Sequence, residues 1–102
     1  MMVAVNGVQL YYEKVGSGPD MIMLHGNCED SSVFSKAVFY LKDHFTIWLI
    51  DSRGHGKSMP APCFHYDDMA EDVFAFITKM KIIKPILVGF SDGGIIGLIM
   101  AS

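Results

Sequence analysis

At 102 residues and 51% hydrophobic content, the chain makes one domain at most, with enough apolar residues to bury a parallel sheet. Its net charge of −3 leaves no basic footprint, so nucleic acid is not expected as a partner. No uninterrupted apolar run approaches the ~20 residues of a membrane span. The start of the chain also lacks the charged and apolar regions of a secretory leader.

In chain order, residues 2–5 and 8–15 read as two strands flanking Asn6-Gly7, the dipeptide best suited to positive φ at both centres of a type I′ turn. Val8, Leu10 and Tyr12 alternate with Gln9, Tyr11 and Glu13, as one buried face requires. After a loop at 16–19, the run 21–24 reads as a continuously buried strand ending at His25-Gly26-Asn27. A helix is predicted over about 32–42, with Phe34, Ala37, Val38 and Leu41 at helical spacing and Asp30, Ser31 or Ser32 as its cap.

Residues 45–50 form the next predicted strand, followed by the loop Asp51-Ser52-Arg53-Gly54-His55-Gly56-Lys57-Ser58. Pro60 and Pro62 keep that loop from running straight into a helix. A second helix is predicted over about 68–80, burying Ala70, Val73, Phe74 and Ile77, with Asp67, Asp68 and Glu71 near its start and Lys79 and Lys81 near its end to complement the dipole. A strand at 86–88 and an apolar helix over 95–101 complete the series. The pattern is a hairpin followed by β-α-β-α-β-α, an α/β sheet whose later strands are parallel and whose functional groups gather at their carboxyl ends.

The join between the last strand and last helix is Gly89-Phe90-Ser91-Asp92-Gly93, the G-x-S-x-G pattern of a nucleophile elbow in its strand–turn–helix context. So sharp a turn crowds the backbone, and glycines two before and two after the serine relieve the clash. The following helix aims its amino-terminal amides and positive dipole end at the site.

With L-H-G-N after the third strand, D-S-R-G-H-G-K-S after the fourth and G-F-S-D-G-G after the fifth, the chain resembles the amino-terminal half of an α/β-hydrolase fold protein across essentially all 102 residues. The resemblance implies that Ser91 is the nucleophile and that the backbone amides of Asn27 and Asp92 form the oxyanion hole. His25 and Gly26 then order the oxyanion loop, His25 is not the base, and Asp51, Arg53, Gly54 and Gly56 are loop scaffolding, with Gly89 and Gly93 shaping the elbow. Asp92 offers a carboxylate that could attract an ammonium-bearing ester, although complementing the helix start is the simpler role. Cys28 could line the pocket. Cys28 and Cys63 lack C-x-x-C spacing and read as free thiols of a cytoplasmic protein.

His44 and His65 read as solvated loop residues, and no histidine has a partner at metal-ligand spacing, so neither a metal nor another cofactor is expected. Gly56-Lys57-Ser58 imitates the end of a phosphate-binding loop, but Asp51 stands where that motif needs its first glycine.

In this fold the triad runs Ser, then Asp or Glu, then His along the chain. Residues 1–102 therefore read as a partial domain without the strands that carry the acid and histidine, inactive alone because a serine hydroxyl needs a base. The expected substrate is a small ester, thioester or amide. Carbon–carbon hydrolysis, cofactor-free haloperoxidation or a non-catalytic module that self-associates through an unpaired sheet edge remain open alternatives.

Overall fold

The computed structural model describes residues 1–26, 30–58, 66–90 and 92–101, with the Asp92 side chain left aside. Strands β1 (Met2–Val5) and β2 (Val8–Gly16) pair antiparallel through Val5↔Val8, the tightest possible closure. That closure requires left-handed backbone at both turn residues, and Asn6 and Gly7 supply it at φ 48° and 78°. Strands β3 (Asp20–Leu24), β4 (Thr46–Ile50) and β5 (Ile86–Gly89) follow, giving a five-stranded sheet in the order β1-β2-β4-β3-β5. β2 runs antiparallel to β4, whereas β3 is parallel to both β4 and β5.

Three helices sandwich the sheet. A 3-10 turn (Ser31–Phe34) leads into α1 (Ser35–Leu41), and Phe34, Val38 and Leu41 pack on Met21, Met23, Ile47 and Leu49 on one face. On the other face, α2 (Tyr66–Met80) and α3 (Asp92–Ala101) cover Ile22, Leu24, Trp48 and Ile50. Phe76 meets Tyr12 and Trp48 there edge to face, locking β2, β4 and α2 together at ring separations of 5.2 Å and 5.7 Å. β3 and β4 are buried on both faces, the condition under which a strand reads as an unbroken apolar run.

Some boundaries differ from the sequence expectation. Asp30 is the cap, accepting from Ser32 N at 2.9 Å, but the first turn it starts is 3-10 rather than α, and Ala37 lies exposed. In α2 it is Phe76, fully buried, that fills the core, while Phe74 is 42% exposed. The rotation follows from Asp72, which is buried on the same helix face by an ion pair described below. Helix α3 begins at Asp92 instead of near residue 95, because the Gly93 amide already closes a turn onto the Phe90 carbonyl at 3.0 Å. No helix among the described residues is long and apolar enough to cross a membrane.

Candidate active site

The parallel strands β3, β4 and β5 deliver their carboxyl ends to one rim, and the three unusual sequence stretches leave from there. Asn27, Cys28 and Ser91 lie outside the described residues, as do Cys63 and His65. Gly89, Phe90 and Gly93 on either side of Ser91 are closely packed. Leu24 is paired with Gly89, the Phe90 amide donates to the Leu24 carbonyl at 3.0 Å, and Gly93 is buried against the same carbonyl. A methyl group at Gly93 would lie 2.9 Å from the His25 carbonyl oxygen and collide outright with that of Leu24. One at Gly89 would come within 2.6 Å of the Gly94 nitrogen. Both glycines are therefore required by close backbone approach, as a strand turning sharply into a helix demands.

His25 is buried and both its ring nitrogens are engaged. The Ser52 amide donates to Nε2 at 2.9 Å, so Nε2 carries no proton, and Nδ1 donates to the Gly26 carbonyl at 2.7 Å. No lone pair is left to take a proton from a nucleophile. His55 lies beside it at a ring separation of 5.3 Å, with Nδ1 donating to the Arg53 carbonyl at 2.9 Å. The loop after β4 is held from within by Asp51, whose carboxylate accepts from the Ser31 amide at 2.8 Å and the Lys57 amide at 2.9 Å. Ser58 Oγ donates to the Asp51 carbonyl and accepts from the Tyr11 amide.

Arg53 makes a buried bidentate pair with Asp72, with Nε and Nη2 each at 2.7 Å, and Asn6 Nδ2 adds a third donor at 2.9 Å. Asp72 was not singled out from sequence, and Asn6 was read only as a turn residue. A carboxylate at helical spacing with Met69, Val73 and Phe76 was the available signal, because a charge on an apolar stripe requires a buried partner.

A cavity of about 350 Å³ opens between β2 and α1, lined by Tyr11, Glu13, Ser35, Val38, Leu49 and Lys57 among others. The Tyr11 hydroxyl donates to Glu13 at 2.7 Å, and that carboxylate pushes the phenol pKa up. Hydrogen bonds from the Ser32 hydroxyl and amide pull the Asp30 carboxyl down. Among the described residues no group of three His, Cys, Asp or Glu is arranged to hold a metal ion.

The family model for the alpha/beta hydrolase fold matches residues 19–102. The chain belongs to that family. Among its relatives, the 2-(acetamidomethylene)succinate hydrolase of Mesorhizobium japonicum is 36% identical over 89% of the chain and 33% of its own length. The human serine hydrolase BPHL is likewise 36% identical, over 98% of the chain and 37% of its own length. The enol-lactonase of Burkholderia xenovorans superposes with a TM-score of 0.93 at 30% identity, covering 99% of the chain and 41% of the lactonase. The chain thus spans about a third of the length of the curated relatives it matches.

Proposed function

We propose that this α/β-hydrolase cleaves a small ester, thioester or amide through an acyl-serine intermediate. The observation that supports the reading most is the elbow: G-x-S-x-G at the carboxyl end of a parallel strand, with Gly93 obligatory for close packing against β3 and Gly89 for close approach to the start of the helix. In the proposed reaction Ser91 Oγ attacks the acyl carbon while its proton passes to a base. The base is proposed to be a histidine outside these 102 residues, oriented by a carboxylate also outside them. The Asn27 and Asp92 amides receive the developing oxyanion, each such donor typically contributing ~3–4 kcal/mol. Collapse expels the alcohol, thiol or amine, which takes the proton, and water then releases the acid by the reverse sequence of steps. The chemistry calls for no cofactor. The relatives support hydrolysis by name, and a cytoplasmic setting fits the reading of its cysteines as free thiols.

The test is a full-length protein treated with a fluorophosphonate and followed by intact mass. One adduct on Ser91 is expected, absent in Ser91→Ala, together with loss of p-nitrophenyl ester hydrolysis by at least ~10³-fold in that variant. Hydrolysis that survives Ser91→Ala undiminished rejects the proposal.

A further inference from the structure

The cavity of about 350 Å³ between β2 and α1 has no part in the proposed acyl transfer. Alternation along β2 puts Tyr11, Glu13 and Val15 on the face away from Leu10 and Tyr12, and β4 sets Leu49 beside Glu13. The floor of the cavity is apolar: Leu49 is buried and Val15 and Val38 are half-buried, while Glu13 and Lys57 are exposed at its mouth. Tyr11 stands between those two charges. Its hydroxyl donates to Glu13 Oε2 at 2.7 Å, and Lys57 Nζ lies over its ring, 4.9 Å from the centroid. Among the described residues, neither Glu13 nor Lys57 makes an ion pair. Backbone bonds hold the arrangement in place. The Tyr11 amide donates to Ser58 Oγ at 2.9 Å, the Asp51 amide to the Tyr11 carbonyl at 3.0 Å, and the Lys57 amide to Asp51 Oδ2 at 2.9 Å.

From this geometry we infer that the cavity binds a small zwitterion, an α-amino acid with an apolar side chain, at a site outside the acyl-transfer machinery. An opposite pair of charges on either side of one aromatic ring, too far apart to join each other, is bridged by a ligand that carries both charges on one carbon. Glu13 accepts from the ligand's ammonium group, which also meets the Tyr11 ring, and Lys57 donates to its carboxylate. The side chain leaves the same carbon toward Val15, Val38 and Leu49. A simple anion is a poor occupant, because Glu13, Asp30 and Asp51 outnumber Lys57 around the cavity. Asp30 and Asp51 are already engaged by the amides of Ser32, Ser31 and Lys57, which leaves Glu13 as the carboxylate facing the ligand. The volume lies at the small end of the range for ligand pockets, about 300–1,000 Å³, and suits one amino acid rather than a long chain. The inference does not depend on the acyl-serine chemistry.

The test is a ligand-observed NMR titration of the full-length protein with three probes: L-phenylalanine, phenethylamine, which lacks the carboxylate, and 3-phenylpropanoate, which lacks the ammonium. L-Phenylalanine is expected to bind with a Kd of about 1 mM or below, and each single-charge probe about 10-fold more weakly. Glu13→Gln keeps an acceptor for the Tyr11 hydroxyl but removes the charge, and should bring L-phenylalanine down to the level of 3-phenylpropanoate. Lys57→Met should bring it down to the level of phenethylamine. Val38→Trp fills the floor and should remove binding altogether, while p-nitrophenyl acetate hydrolysis stays at the parent rate in both charge variants. No binding of L-phenylalanine at about 10 mM overturns the inference. So does equal affinity for the three probes, which marks an apolar trough without charge recognition. L-Phenylalanine binding that is unchanged in both Glu13→Gln and Lys57→Met overturns it as well, by placing the amino acid elsewhere on the protein.

Discussion

Asp30 does a small job at the level of one side chain. Its carboxylate accepts from both the hydroxyl and the amide of Ser32, capping the 3-10 turn that follows the site segment. Those hydrogen bonds favour the charged form and lower the carboxyl pKa below its ordinary value of 3.8. A depressed carboxylate contributes stability that is present above the unfolded pKa and is lost as pH falls through the folded one. Replacing Asp30 with alanine is expected to destabilise the fold by about 1 kcal/mol at neutral pH, the usual effect of losing a cap. Urea unfolding of both proteins checks this, repeated in the acid range below the ordinary carboxylate pKa. The gap should close there, and a gap that persists unchanged would show that Asp30 acts through something other than its charge.

Between elements, Arg53–Asp72–Asn6 joins the β1–β2 turn, the loop after β4 and α2, at 7% and 3% side-chain exposure for the ion pair. Asp72→Ala deprives a buried guanidinium of this carboxylate, a change expected to be destabilising by about 3–5 kcal/mol. A double variant with Arg53→Met and Asp72→Leu should recover most of that loss, since apolar residues of similar size need no desolvation. Thermal or urea unfolding of the three proteins decides it. If Asp72→Ala is as stable as the parent, the tie is not what orients α2. The same pair explains where sequence reading stopped short. The hairpin and the buried strands were legible because a two-residue turn and unbroken apolar runs each leave a local mark, whereas the crossed order β1-β2-β4-β3-β5 leaves none. The face of α2 was not, because Phe74 and Phe76 are both apolar at plausible helical spacing, and only a distant arginine fixes which of them turns inward. At the site, the close-packed passage from β5 into α3 was legible from Gly89 and Gly93, whereas Asp51's grip on Ser31 joins residues 20 apart through a backbone amide that any residue but proline would supply.

At the scale of the whole molecule, one side of the sheet differs from the other. β5 pairs with β3 and stands at the edge of the order, and its Ile86 is 45% exposed where the corresponding positions of β3 and β4 are buried. Beside it α3 is apolar on every face, yet Ile95 and Leu98 remain 41% and 73% exposed. A helix of that kind belongs in an interior, and an uncharged strand edge is a template for another strand. We therefore expect the 102 residues expressed alone to self-associate, with sedimentation velocity giving a weight-average mass that rises with concentration. Ile86→Lys puts a charge on the edge and should shift the distribution toward monomer, whereas Ile83→Lys, on the highly exposed turn before the strand, should do so less. A parent chain that sediments as a monomer throughout would mean the edge is protected by its own twist and side chains. In a longer chain, any further strand added beside β5 would occupy the same backbone groups. The full-length protein is expected to stay dispersed under conditions where these 102 residues associate, because one edge cannot pair twice.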